Sequence, residues 1–349
     1  MANIESPAFF GVLKEKVEAY FEKNKLARTG ENRLYLKSLL QVCSAISLYV
    51  ILVFNTPTSH WLSIALSILL GINFAVLGFN IMHEGGHNSF SRHSWLNVVS
   101  GYVLNVLGGN IYFWKVKHNV NHHTFTSIEG LDSDIDVQPF MRLHPNQPRR
   151  YAHKYQHIYF AVLYGISYLA WIFYEDFVKY FRNKISPHMK PMSLTLREHI
   201  IFWVTKIIYV TIFLVTPILF VGWLPALTGF FIVTFFCGLS TSIVFQLAHV
   251  VELNQLPVEK KITGDWAIHQ IATTSNFGTS NKFLFWMLGG LNFQIEHHLF
   301  PNVSHIHYPQ ISRLVKETCD EFNIKYNEYS SMLRAMISHI TYLRQIGNA

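Results

Sequence analysis

Four stretches of the chain stay apolar for about twenty residues each, at approximately 36–55, 61–82, 200–221 and 224–248. At about 1.5 Å of rise per residue, an α-helix of that length crosses a hydrocarbon layer roughly 30 Å thick. Lys206 is the one clear charge inside them, placed close enough to an end to snorkel toward water. Two shorter apolar stretches are weaker. Residues 96–113 hold Gly101, Gly108, Gly109 and several Asn, and residues 158–174 are Tyr-rich and close on Glu175 and Asp176.

The connections divide by charge. Thr56-Pro57-Thr58-Ser59-His60 joins the first two spans and Gly222-Trp223 the last two, without a Lys or Arg. Basic residues crowd the N-terminal arm (Lys14, Lys16, Lys23, Lys25, Arg28, Arg33, Lys37), the middle loop (Arg149, Arg150, Lys154, Lys179, Arg182, Lys184, Arg197) and the C-terminal region. The positive-inside rule therefore predicts two hairpins dipping into the membrane from the cytoplasm, with both termini cytoplasmic. The arm, residues 1–35, lacks the early apolar core of a secretory signal. It reads as an amphipathic helix lying on the bilayer through Phe9, Phe10, Val12, Leu13, Val17, Tyr20 and Phe21. The expectation is one all-α integral membrane domain over residues 1–349, with a cytoplasmic helical cap at 83–199 and 249–349.

Composition agrees. The chain is 50% hydrophobic and only 14% charged, against about a quarter charged in soluble domains. The 15% of aromatic residues fall in or beside the apolar runs, and the net charge of +7 suits anionic lipid or substrate better than nucleic acid. Three Cys, at 43, 237 and 319, make neither a CxxC motif nor a disulfide framework. Nineteen His remain to be explained.

They cluster just beyond the span ends. His83-Glu84-Gly85-Gly86-His87 follows the second span and pairs imidazoles at i and i+4, although two glycines inside a helix are unfavourable. His118-Asn119-Val120-Asn121-His122-His123 repeats that spacing and adds a neighbour turned about 100° around an α-helix. Gln294-Ile295-Glu296-His297-His298 puts metal-capable groups at i, i+3 and i+4. His249, at the end of the fourth span, is predicted to be a further ligand. Imidazoles that share a metal must lie on one side of the membrane, so residues 96–113 and 158–174 are assigned as non-crossing. Eight imidazoles exceed the three or four that close a zinc site, so the set divides between two ions, for which imidazole suits iron, zinc, copper or nickel. Glu84, Asp132, Asp134, Asp136, Glu252 and Glu296 are carboxylates available to hold the second ring nitrogen of the ligands. His269 is assigned beside the ligands or at the surface, and His305 and His307 to a substrate head group or solvent. His93, His144, His153, His157, His188 and His199 have no partner spacing and read as interfacial residues.

Taken together, HEGGH at 83, HNVNHH at 118 with Gly130-Leu131-Asp132-Ser133-Asp134 after it, and QIEHHLFP at 294 resemble the three histidine boxes of membrane fatty-acyl desaturases. The Gln that opens the third box resembles the front-end branch, which inserts a cis double bond between an existing one and the carboxyl end, and also linoleoyl-CoA-type and sphingolipid enzymes. The resemblance implies two iron ions held by His83, His87, His118, His122, His123, His249, His297 and His298, with Gln294 a ligand or a group beside the ligands. It implies O₂ as co-substrate and a fatty-acyl substrate carried on CoA, acyl carrier protein or a lipid. Many front-end enzymes carry a fused cytochrome b5 domain marked HPGG. That motif does not occur here, and the expectation is a separate electron donor such as a ferredoxin or free cytochrome b5, in a bacterial inner membrane or the endoplasmic reticulum.

Three rivals remain open at this stage. A diiron hydroxylase would use much the same centre. A metal transporter or sensor should place its ionisable residues within spans along a path, and a zinc protease would use HEGGH and leave the other boxes idle.

Overall fold

The computed structural model describes residues 7–262 and 264–349 and is mostly helical. Five helices are long and apolar enough to cross a membrane: Glu31–Phe54, His60–Gly86, Tyr151–Arg182, Leu196–Val221 and Trp223–His249. Four of them carry the predicted spans. The fifth absorbs the weak stretch at 158–174 into one continuous helix of 32 residues, with a lower mean hydropathy of 1.3 against 1.9–2.2 for the others. Helix Ser94–Val106, in the other weak stretch, has 13 residues, about 20 Å of length, and is too short to cross.

The chain divides into two compact units that alternate along the sequence. One comprises Glu31–Lys117 and Ala161–Ile243; the other takes the N-terminal segment to Gly30, His118–Phe160 and Val244–Ala349. Residues 83–117 and 161–199, expected in the cap, thus fall in the span-bearing unit.

In that unit, glycines let helices approach closely, as small residues do between membrane helices. A Cβ on Gly71 would stand 2.4 Å from the Val233 carbonyl oxygen, and one on Gly238 would stand 2.6 Å from that of Gly165. Lys206 does not reach for water. It is 6% exposed and donates to the carbonyls of Gly108 (2.6 Å) and Ile172 (2.8 Å) and to Asp176 Oδ2 (2.9 Å). A buried ammonium needs such a full set of acceptors to offset its desolvation, and this one ties three segments together.

In the other unit, helix Pro7–Asn24 is amphipathic as expected, but its apolar stripe faces protein. Phe9 and Leu13 are fully buried, with Val17 and Phe21 nearly so, in one core with Ile311, Val315 and Cys319 of helix Tyr308–Glu321. Both helices repeat apolar residues every four positions, so the two stripes complete each other. A two-residue parallel pairing of Asn276–Phe277 with Glu328–Tyr329 closes this unit near the third histidine box.

Candidate metal centre

The first box sits in the span-bearing unit. His60–Gly86 passes through a π-helical turn at Gly78–Met82 before reaching His83, and such turns often accompany functional sites. The His83 and His87 rings lie 4.6 Å apart, each about one ring width from Trp114. The two glycines between them are explained by packing. A Cβ on Gly85 would meet the Gly101 nitrogen at 2.5 Å, and one on Gly86 would meet the Trp114 ring at 2.2 Å. Glu84 is buried and accepts from Ser89 Oγ at 2.8 Å.

The second and third boxes and His249 converge in the other unit. Val116–His122 is π-helical, so residues five apart come into line. His118 Nε2 and His123 Nε2 accordingly lie 3.2 Å apart, a pairing that α-helical spacing does not give. Donor nitrogens of His122, His249 and His298, all buried, lie within 4.8 Å of one another, and His118, His122 and Asp134 form a second such group. The His297 ring stacks on His118 at 5.8 Å. Gln294 brings its side-chain amide to 3.1 Å from His249 Nε2 and 3.3 Å from His298 Nε2. Those spacings match the separation of about 3.0–3.4 Å expected between ligands that share an ion at about 2.1 Å. Turning the amide over presents its oxygen at the same place.

The surroundings set which nitrogen faces inward. His122 Nδ1 donates to Asp132 Oδ2 at 3.0 Å, and that carboxylate also accepts the backbone N–H groups of Ser127 and Asp134. His298 Nδ1 donates to Gln270 Oε1 at 2.7 Å, and Thr126 Oγ1 donates to the same oxygen at 2.8 Å. His297 Nδ1 is 3.2 Å from the Tyr308 hydroxyl. With Nδ1 occupied, Nε2 of these rings keeps its lone pair for a metal. Burial, reinforced by His123 and the other imidazoles, holds His298 well below the usual imidazole range, so it is neutral. Buried neutral imidazoles with adjacent carboxylates and no thiolate fit first-row metals such as iron.

The remaining predicted residues separate. Asp132 and Asp134 join the cluster, and His269 stands beside it, donating from Nε2 to the Thr126 carbonyl at 2.9 Å. Glu296 turns away from it, accepting from Asn276 Nδ2 (2.7 Å) and the Tyr326 hydroxyl (2.8 Å), with burial pushing its carboxyl up to about 7. Glu252 is exposed and accepts from Gln345 Nε2, and Asp136 is exposed. His305 and His307 are buried, the first against Phe285 and the second against Phe21 and the Tyr20 hydroxyl. His144 and His153, expected at an interface, are fully buried, each paired at 3.0 Å with a proline carbonyl. Thr126, Gln270 and Tyr308 escaped the sequence reading. Gln270 adjoins His269 directly in the sequence, the one local signal for it.

Comparison with known proteins gives the family. The family profile described as fatty acid desaturase matches residues 59–330. An acyl-lipid (8-3)-desaturase of Physcomitrium patens is 35% identical, over 99% of this chain and 73% of its own length. An sn-1 linoleoyl-lipid 6-desaturase of Arthrospira platensis is 33% identical, over 98% and 93%. A probable Delta(5) fatty acid desaturase C of Dictyostelium discoideum is 27% identical, over 99% and 77%.

Proposed function

Because the chain belongs to the fatty acid desaturase family, we propose that it is a front-end acyl-lipid desaturase working at a histidine-held diiron centre. It is an oxidoreductase of the membrane. The names of the 6-, (8-3)- and Delta(5) relatives support the front-end reading and a lipid-linked acyl substrate. In this proposal His83, His87, His118, His122, His123, His249, His297 and His298 hold the two irons, with Gln294 a ligand or a group beside the ligands. When bound and reduced, the iron pair supplies the activation of O₂ that removes two hydrogens from adjacent methylenes, leaving a cis alkene and water.

The chain's own residues do the rest. Asp132 and Gln270 keep protons on the outward nitrogens of His122 and His298, so the inward lone pairs are presented without rearrangement. Burial of the cluster excludes water that would otherwise quench the oxidant. Electrons come from a carrier such as a ferredoxin or cytochrome b5, which the positive charge of +7 helps to attract.

The topology goes with this reading. The boxes share the cytoplasmic side when Glu31–Phe54, His60–Gly86, Leu196–Val221 and Trp223–His249 cross and the less apolar Tyr151–Arg182 does not. Both termini are then cytoplasmic.

The observation that carries the proposal is the trio of buried imidazoles at His122, His249 and His298, within reach of one ion. Expression in a host fed defined unsaturated fatty acids, with double-bond mapping of its lipids and iron analysis of the purified protein, tests it. About two irons per chain and a new double bond toward the carboxyl end are expected, with both lost in His298→Ala. A hydroxylated product, or full turnover by iron-free protein, would refute it.

A further inference from the structure

The span-bearing unit holds a cavity of about 420 Å³ bounded by helices Glu31–Phe54, His60–Gly86, Leu196–Val221 and the first half of Trp223–His249. Its volume falls within the range of about 300–1,000 Å³ typical of small-molecule sites. Leu70, Phe74, Phe213, Phe230 and Val233 make the walls. Among the lining hydroxyls, Ser67 Oγ donates to the Ser63 carbonyl and Thr234 Oγ1 to that of Phe230, both at 2.8 Å, and the Tyr49 hydroxyl donates to the Ile212 carbonyl. The shaft is thus lined mostly by apolar side chains. Polarity appears at the mouth, where Thr56 and His60 of the first hairpin turn are exposed. Tyr209, 2% exposed, closes the inner end, its ring braced against Gly108.

One wall is left open by the backbone. Gly71, Gly165 and Gly238 are filled by close neighbours on another helix, whereas a Cβ on Gly229 would meet only Ser67 Oγ, at 3.7 Å. Gly229 is therefore not needed for helix contact; its missing side chain is cavity.

We propose that this cavity is a binding site for one acyl chain of a bilayer phospholipid, whose head group stays at the Thr56 and His60 mouth. A polar rim over an apolar shaft matches an amphiphile, and a membrane protein meets phospholipid at such a mouth. The chain held here is not the one being desaturated. The cavity occupies the opening halves of His60–Gly86 and Trp223–His249, while His83 and His249 stand at the other ends. From Thr234 to His249 is about 22 Å along the helix at 1.5 Å per residue. The resident lipid acts as a wedge between the two hairpins.

The test uses the full chain in phosphatidylcholine nanodiscs doped with a phosphatidylcholine bearing a diazirine midway along one acyl chain. After illumination, adducts are mapped by mass spectrometry. Labelling is expected to concentrate at least fivefold in residues 49–57 and 224–234 over other lipid-facing segments. Gly229→Phe should reduce that labelling at least fivefold and Gly229→Ala should keep it, with the chain length and position of the desaturated product unchanged in both. Should Gly229→Phe fail to accumulate, competition on the wild type decides: excess unlabelled lysophosphatidylcholine must lower labelling at these segments at least fivefold. Labelling indifferent to both the plug and the competitor overturns the proposal. So does a plug that alters product chain length, since the cavity would then belong to the substrate's tail.

Discussion

Gln270 Oε1 stands 2.7 Å from His298 Nδ1 and accepts a hydrogen bond from it, which turns Nε2 of that imidazole toward Gln294. Replacing Gln270 by Ala removes the acceptor and frees the ring to turn. Outer partners of metal ligands are typically worth about 10–100-fold in metal affinity or activity. Gln270→Ala should therefore lose iron and turnover by that order, while Gln270→Glu, which keeps an acceptor, retains more of both. Iron content and product yield on the same preparations check this.

Asp132 has a double role, holding His122 Nδ1 and capping the backbone N–H groups of Ser127 and Asp134. Asp132→Asn preserves shape and one acceptor, so it should weaken iron binding with little loss of folded protein. Asp132→Ala leaves buried N–H groups unsatisfied, at about 1–3 kcal/mol, and should lower thermal stability as well. Comparing the two by melting temperature and iron titration separates the roles.

Gly86 is predicted to be intolerant of even a methyl group, because the Trp114 ring occupies the place of its Cβ. Overpacking of this kind costs about 1–3 kcal/mol. Gly86→Ala should destabilise the protein despite the better helix propensity of Ala, and Trp114→Leu in the same chain should recover most of the loss. A thermal-shift series on the single and double variants would show whether the cost comes from this contact.

The buried stripe of the N-terminal helix gives a fourth expectation. Leu13→Ala should cost about 2–5 kcal/mol, as for a core leucine, because Leu13 is fully enclosed by protein. If the stripe rested on lipid, the change would alter membrane partition and leave the melting temperature where it was.

A pH effect follows from His339. Its burial, opposed in part by a bond to the Val250 carbonyl, lowers it from 6.5 to about 4. The neutral ring therefore favours the folded chain above pH 6.5, and that stability drains away as pH falls toward 4, at up to about 1.4 kcal/mol per pH unit. Glu296, raised to about 7, has the opposite sign: its contribution is full below 4.5 and disappears as pH rises through 7. The difference in stability between wild type and His339→Leu cancels the Glu296 term and should shrink steadily from pH 6.5 to 4.

Much of this was legible in the residues. Long apolar runs admit few alternatives in a bilayer, so four of the long helices were placed to within a few residues, and the histidine boxes stood out by type and spacing. What failed were features that depend on a partner. The arm's stripe was amphipathic in the sequence, but only Ile311, Val315 and Cys319 show that protein covers it. Lys206 looked able to snorkel because its acceptors, Gly108, Ile172 and Asp176, are 30 or more residues away. In the second box, i and i+4 counting found His118 beside His122 but assumed an α-helix, and the π-helical turn brings His123 to His118 as well. The paired glycines of the first box read as a weakness until Gly101 and Trp114 were seen to fill their space.

The alternation of the two units along the chain has a consequence for biogenesis. On the ribosome, His118, His122 and His123 emerge with more than a hundred residues, including three long apolar helices, still to be made before His297 and His298 appear. The nascent protein must be threaded into its membrane before those imidazoles can gather, so the cluster closes late and only in chains synthesised past the third box. Completion of the cluster then distinguishes finished chains from prematurely terminated ones.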